Sequence, residues 1–110
     1  DKPGLSQVYK RLLGSLSMSS YMYCNNALRQ RDLVASARYI EIYSLVDPTN
    51  AEHRVMAAKL AAMKHDKAGV LDALKQAFEL GFNDKARLRS DPDFLSFQQD
   101  EGFNKLMDKK

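Results

Sequence analysis

A chain of 110 residues with 45% hydrophobic and 28% charged residues is long enough to bury a modest core, and its composition is that of an ordinary globular protein. The net charge of +3 comes from interspersed basic and acidic residues, which argues against a nucleic-acid-binding stripe. No apolar run approaches the roughly 20 residues of a membrane span, and a single cysteine, Cys24, excludes an internal disulfide.

The first residue is Asp1 rather than methionine, so we expect a processed or excised chain. An exported or periplasmic location is expected if a signal was removed, and a cytoplasmic one otherwise.

The first predicted element is one long helix over residues 5–30. Apolar residues recur at helical spacing from Leu5 to Leu16, and the pattern resumes as far as Leu28. Gly14 and the serines that follow weaken helix propensity, which leaves two helices joined near Ser17 as the alternative. We expect residues 5–16 to shield the hairpin that follows.

The second helix is predicted to begin after Asp32, a favourable N-cap, and to end before Pro48. Its buried stripe is predicted from the apolar spacing to be Leu33, Ala37, Ile40 and Val46.

A second hairpin is predicted over residues 51–82. Thr49 and Glu52 have the spacing of a capping box, Asp66 is a cap for the next helix, and Gly81 suits the left-handed position after it. Small side chains should let the two helices approach closely: Ala58, Ala61 and Ala77.

Short helical turns are predicted in the tail, residues 83–108, because three aspartates there are good caps. They are Asp84, Asp91 with Pro92 next to it, and Asp100. Four phenylalanines lie beyond the predicted helices of the hairpins and should seal the open apolar end of the array, folding back on its last long helix: Phe82, Phe94, Phe97 and Phe103.

The two hairpins match each other at a spacing of 34 residues, the period of a tetratricopeptide repeat. The aligned pairs are Cys24 and Ala58, Ala27 and Ala61, Asp32 and Asp66, Ile40 and Leu74, and Val46 and Leu80. Residues 17–80 thus resemble two tetratricopeptide repeats, 17–50 and 51–82. Departures from the family pattern mark them as degenerate: Ser20, Ser36, Arg54, His65 and Val70.

The tail resembles the segment that ends a group of such repeats, through Leu80–Asp84, Leu88, Ser90–Phe94, Phe103 and Leu106, although the usual Arg and Pro before the last Phe are lacking. The two resemblances imply an all-α fold, a right-handed stack of antiparallel helix hairpins with an N-terminal helix and short C-terminal capping helices.

The resemblance also implies a concave face lined by the first helix of each hairpin. Its outward residues would be Tyr21, Asn25, Arg29, Val55, Lys59 and Met63. We expect such a face to hold a protein or peptide partner. The alternative is an ordinary solvated helix face, or one covered by the N-terminal helix, in a structural or self-associating domain that could form a homodimer.

No catalytic or metal-binding pattern is evident, so we predict no enzyme activity, cofactor or metal. His53 and His65 lack ligands at suitable spacing, and both are expected in solvent. Cys24 falls in the packed seam of the repeat alignment, and the tail aspartates are better explained as caps than as acid–base pairs.

Overall fold

The structure is a computed structural model that describes residues 2–108 and the side chains of residues 7–108; this part of the chain contains helices and no strand. The helices are α1 Lys2–Arg29, α2 Leu33–Val46, α3 Glu52–Met63, α4 Lys67–Glu79, α5 Lys85–Ser90, the 3-10 helix Pro92–Phe97 and α6 Glu101–Asp108. The predicted all-α class is confirmed.

The first segment is a single α-helix, α1, so the alternative of two helices joined near Ser17 is wrong. It begins at Lys2, three residues before the predicted start. Gly14 lies inside it, and apart from the helix's own backbone no atom lies within 4 Å of where its Cβ would be. The glycine therefore carries only its intrinsic cost of about 1 kcal/mol, too little to break a long helix.

The predicted aspartate caps are confirmed. Each accepts a backbone N–H two or three residues later, at 2.9–3.1 Å. The five residues are Asp32, Asp66, Asp84, Asp91 and Asp100. Since a cap of this kind stabilises a helix by about 1 kcal/mol, these side chains fix the start of every helix after α1 except α3.

The start of α3 differs from the predicted capping box. Its N-cap residue is Ala51, and Asn50 rather than Thr49 accepts the N–H of Glu52, at 3.0 Å. The carboxylate of Glu52 instead accepts two hydrogen bonds from Arg87 in the tail, at 3.0 and 2.8 Å. The capping box was wrong because a partner 35 residues away competes for that carboxylate.

The turns within the two hairpins have the same backbone geometry 34 residues apart. Arg31 and His65 are left-handed, with φ of 60° and 59°. The next N–H, of Asp32 or Asp66, donates to the carbonyl five positions earlier, at 3.0 and 2.9 Å. Turns of this kind satisfy the last carbonyls of a helix. The period found in the sequence is therefore present in the hydrogen bonds.

The two helices of the second hairpin, α3 and α4, pack against each other through small side chains, as predicted. Ala58, Ala61 and Ala77 are at most 9% exposed. Gly69 marks a point of close approach, because a Cβ there would lie 3.1 Å from the Ala61 Cβ and 2.5 Å from a carboxylate oxygen of Asp66. Larger residues at these positions would hold the two helices further apart.

The tail packs against both helices of the second hairpin. The prediction that the tail folds back on the second helix of this hairpin is confirmed for α6, which contacts α4, but not for the 3-10 helix, which contacts α3. Phe103 lies at the centre, with its ring centroid 6.3 Å from those of Phe94 and Phe97. The tail adds five buried side chains to the alanine-rich core of the hairpin: Leu88, Phe94, Phe97, Phe103 and Met107.

The other end of the molecule is open. Among the side chains of α1 that the structure describes, the buried ones lie in its C-terminal half: Ser20, Cys24, Ala27 and Leu28. Residues 7–16 are exposed, so the predicted shielding of the first hairpin by residues 5–16 is wrong for every described side chain. The physical reason is length, since the 14 residues of α2 reach along only half of the 28 residues of α1.

The buried face of α2 also differs from its predicted stripe. Ile40 is buried, but Ala37 is exposed, and Leu33 and Val46 are half-buried. Ser36 and Tyr43 occupy the buried positions instead. Burying Tyr43 removes more apolar surface from water than burying Ala37 would, so the face of α2 that carries Tyr43 packs against the core.

Candidate functional site

Five of the six residues predicted to line a concave face lie around two neighbouring clefts. A cleft of about 210 Å³, here called the tyrosine cleft, is lined by four of them: Tyr21, Asn25, Val55 and Lys59. A cleft of about 540 Å³, here called the cationic cleft, is lined by two: Arg29 and Lys59. Lys59 belongs to both clefts and lies where they adjoin.

The cationic cleft lies between the end of α1, the middle of α3 and the tail. Its lining includes four cations and two carboxylates: Arg29, Arg31, Lys59, Arg87, Asp91 and Asp93. Such an excess of positive charge attracts anions, and guanidinium groups bind carboxylates or phosphates through two parallel hydrogen bonds.

The tail segment Asp91–Pro92–Asp93 forms ion pairs with two of these cations. The Lys59 Nζ is 3.5 Å from an oxygen of Asp91 and 3.6 Å from one of Asp93. Arg31 donates to Asp93 at 2.8 Å. Among the described residues, Arg29 is the one cation of this cleft that has no carboxylate partner. Arg29 is therefore the cleft's most available donor.

Arg87 lines both clefts, and its side chain is held by two contacts. Its guanidinium forms the bidentate pair with Glu52 and lies 5.0 Å from the centre of the Phe82 ring. The hydrogen bonds that Arg87 donates to Glu52 are the main cause that raises its pKa above the ordinary value. Arg87 is a fixed cation that ties α5 to the start of α3.

The tyrosine cleft combines an aromatic ring with an amide. The Tyr21 ring is 40% exposed and lies edge-on to Tyr43, with 6.3 Å between the ring centroids. Asn25, one helical turn later, is half-buried. Tyr43 is buried, and Asn50 donates to its hydroxyl at 3.2 Å. Burial raises the pKa of Tyr43 to about 12, so its hydroxyl keeps its proton at neutral pH.

Two of the predicted face residues do not present free side chains. Val55 is 2% exposed and packs in the core of the second hairpin, so its assignment as an outward residue is wrong. Met63 lines neither of these clefts and packs, half-buried, against the core of the first hairpin. Val55 belongs to the same buried cluster as Phe94 and Phe97 of the 3-10 helix, which contacts α3.

The sequence analysis missed four residues of the cationic cleft: Arg31, Arg87, Asp91 and Asp93. Asp91 was interpreted only as a cap, and it is one, yet the same side chain also faces Lys59. The available signal was the acidic segment Asp91–Pro92–Asp93, whose charge complements that of Lys59 on the predicted concave face. The sequence does not reveal the path of the tail, which is what brings the two together.

The cysteine and one of the two histidines are buried in the core. Cys24 is fully buried, and burial raises its pKa to about 11, which leaves an unreactive thiol at neutral pH. The expectation that His53 is in solvent is wrong. It is 2% exposed, its Nε2 donates to the Pro48 carbonyl at 3.0 Å, and its ring packs edge-on against Tyr43. His65 is exposed in its turn, as expected.

The described part of the chain contains neither a cluster of metal ligands nor a membrane-spanning helix. No three histidine, cysteine or carboxylate side chains there converge as metal ligands would. None of its helices combines the length and apolar character needed to cross a membrane.

No protein-family model matches the chain, and no curated protein or solved structure matches it either. The resemblance of residues 17–80 to tetratricopeptide repeats, and of the tail to the end of such a group, therefore stays a prediction.

Proposed function

We propose that this chain is a non-enzymatic protein-interaction module, built from two degenerate tetratricopeptide-like hairpins, that binds an acidic extended peptide or partner segment in the cationic cleft. The observation that carries the proposal is Arg29, which within the described residues is the one cation lining this cleft of about 540 Å³ that has no carboxylate partner. An extended peptide with acidic side chains would supply the missing negative charge and accept hydrogen bonds from arginine.

The repeat interpretation draws support from the two equivalent turns. A positive φ at Arg31 and His65, followed by a capping aspartate, recurs at the period typical of tetratricopeptide repeats. Short arrays of this kind use one helix of each hairpin to form a binding face. In this chain α1 and α3 both contribute side chains to the cationic cleft and the tyrosine cleft.

The tail supplies an internal example of the ligand chemistry. The segment Asp91–Pro92–Asp93 places two carboxylates against Lys59 and Arg31. A partner segment would lie beside it and engage Arg29, which has no such partner within the described residues. Beyond Arg29, the exposed ring of Tyr21 would offer an apolar surface to a neighbouring peptide side chain.

The test selects binders from a display library of random ten-residue peptides on the immobilised chain and measures the winners by fluorescence anisotropy. The variant is Arg29→Glu, and the matched control is Arg38→Glu, an exposed residue of α2 outside both clefts that gives the same charge change. We expect the selected peptides to be acidic and to bind Arg29→Glu at least about tenfold more weakly, the effect of one charge-assisted hydrogen bond.

The control should bind as the unaltered chain does. A selection without enrichment of Asp or Glu, or peptides that bind both variants equally, would show that the cationic cleft is not a ligand site. Because Arg29 is exposed, circular dichroism should show an unchanged fold in either variant.

A second candidate is a structural or self-associating accessory domain. One observation favours it: α2 exposes three apolar side chains on its outward face, Val34, Ile42 and Leu45, at 68%, 48% and 76%. Light scattering on the chain and on Ile42→Glu/Leu45→Glu tests it. A dimer that the double substitution converts to a monomer would support self-association, and a monomer in both would remove it.

A further inference from the structure

The N-terminal half of α1 carries an exposed apolar surface that neither cleft uses. Its side chains are 36–64% exposed and are here called the α1 apolar face: Val8, Tyr9, Leu12, Leu13 and Leu16. α2 ends beside Ser17, whose hydroxyl donates to Asp47 just after α2 at 2.7 Å. Beyond that bond no element of the described chain covers the face, since residues 7–16 are all exposed.

The α1 apolar face is wide. Val8 and Leu13 are five residues apart, which places them about 140° apart around the helix axis at 3.6 residues per turn, and the other three side chains lie between them. A single partner helix contacts two rows of side chains along a narrower seam. An arc of this width is better matched by an extended apolar medium, in which a helix lies with its axis parallel to the surface.

The charges beside the face have one sign. Lys10 and Arg11 are exposed, and each lies about 60° outside one edge of the arc. Apart from Asp1, every acidic residue of the chain lies at or after Asp32, so α1 contains no carboxylate side chain. Two copies of α1 packed on this face would bring these cations together along one seam with no acid to pair them. The charge pattern therefore favours an anionic partner over a second copy.

We propose that the α1 apolar face docks on the anionic surface of a lipid bilayer. The helix would lie in the interface with Leu12 and Leu16 towards the acyl chains and with Lys10 and Arg11 at the phosphate level. Tyr9 suits the boundary, because its ring is apolar and its hydroxyl is polar. The body of the molecule, on the other half of α1, would remain outside the bilayer.

The test is sedimentation of the full chain with phosphatidylcholine vesicles, with and without about one third phosphatidylglycerol. We expect binding to the anionic vesicles. Lys10→Gln/Arg11→Gln should weaken it about 30-fold, since each basic residue near an anionic surface contributes about fivefold. Leu12→Ser should weaken it about tenfold through lost apolar burial. The fold should survive both changes because these side chains are exposed.

Matched controls distinguish binding through the α1 apolar face from non-specific adsorption of the chain to vesicles. Leu95→Ser removes a leucine that is 72% exposed in the tail, and Lys64→Gln/Lys75→Gln removes two exposed lysines, one just after α3 and one in α4. Both should bind the anionic vesicles as the unaltered chain does.

Three results would overturn the proposal: no binding to anionic vesicles, equal binding to neutral ones, or equal losses in the controls. A dimer in light scattering that Leu12→Ser dissociates, without any vesicle binding, would assign the face to a second copy instead. Binding of an acidic amphipathic peptide without vesicle binding would assign it to a helical protein partner. Each of these outcomes is distinct from the cationic-cleft result, because Arg29 lies on the other half of the helix.

Discussion

The two ends of the molecule treat their apolar surface in opposite ways. At the C-terminal end, Phe94 and Phe103 are completely buried against the second hairpin. At the other end, Leu12 and Leu16 of α1 remain more than half exposed. The difference arises because the tail is tied to the hairpin that it covers, so docking costs little more than the closure entropy of a short loop. Within the described chain, nothing is tied to the N-terminal half of α1 in that way.

The comparison also separates what stabilises the tail from what orients it. Each buried side chain contributes about 1.5–3 kcal/mol through the apolar surface that it removes from water. Part-exposed ion pairs such as Lys59 with Asp91 contribute about 0.2–1 kcal/mol. Apolar burial therefore holds the tail on the hairpin, and the ion pairs set how its acidic segment faces α3.

The largest effect is expected from deleting the tail. A chain that ends at Gly81 loses five buried side chains, which together contribute about 8–15 kcal/mol, as much as the whole stability of an ordinary domain. We expect aggregation or loss of cooperative melting in differential scanning calorimetry.

The matched deletion removes residues 1–12 and should lower the melting temperature by less than about 5 °C, because every described side chain in that segment is exposed. If the chain that ends at Gly81 stays monomeric and melts like the full chain, the tail is not the cap of this fold.

Single substitutions in the tail should reproduce this contrast on a smaller scale. Phe103→Ala removes a fully buried ring that touches Phe94 and Phe97, and it should cost about 3–5 kcal/mol in urea unfolding. Leu95→Ala, at 72% exposure in the same tail, should change stability by no more than about 0.5 kcal/mol. Equal costs at the two positions would contradict the assignment of Phe103 to the core.

The sequence predicts the parts of this fold that depend on local chemistry. An aspartate at a helix start accepts a backbone N–H of the first turn, an interaction within a few residues, so Asp32 and Asp66 could be assigned as caps from spacing alone. Gly81 has φ of 101°, as the end of the fourth helix demands. The alanine seam follows equally directly, since only small residues permit that approach.

What could not be predicted depends on where distant segments meet. Helical spacing places Val55 on the outward face of α3, but the folded chain buries it in a cluster that includes Phe94 and Phe97 of the tail. Lys59 is on the same face and became an ion-pair partner for Asp91 for the same reason. The exposure of the N-terminal half of α1 follows from the shorter length of α2, which the apolar spacing within α1 does not reveal.

Alkaline pH should distinguish the cores of the two hairpins. The first contains Cys24 and Tyr43, whose burial raises their pKa to about 11 and about 12, whereas the buried cluster of the second contains no titratable side chain. A raised pKa in the folded state gives stability that is intact below the unfolded pKa and falls as pH rises through the folded one.

Stability should therefore fall from about pH 9 upwards. Cys24→Ala should abolish the loss of stability that the thiol causes between pH 9 and 11, which is on the order of 2 kcal/mol. The loss caused by Tyr43 between pH 10 and 12 should remain. Urea unfolding of both chains at a series of pH values measures this difference in slope, independently of any constant loss from the smaller side chain. Parallel curves would show that the thiol does not titrate differently in the folded chain.

The smallest expected effect contrasts the open helix with the packed hairpin through two glycines. Gly14→Ala places a methyl group in open space on α1 and should raise stability by about 0.5–1 kcal/mol. Gly69→Ala places it 2.5 Å from a carboxylate oxygen of Asp66, so the cap must move and its contribution of about 1 kcal/mol is lost. We expect opposite signs in urea unfolding. A gain at both positions would show that α3 and α4 separate more easily than their alanine seam implies, and that the second hairpin is no more tightly closed than the first.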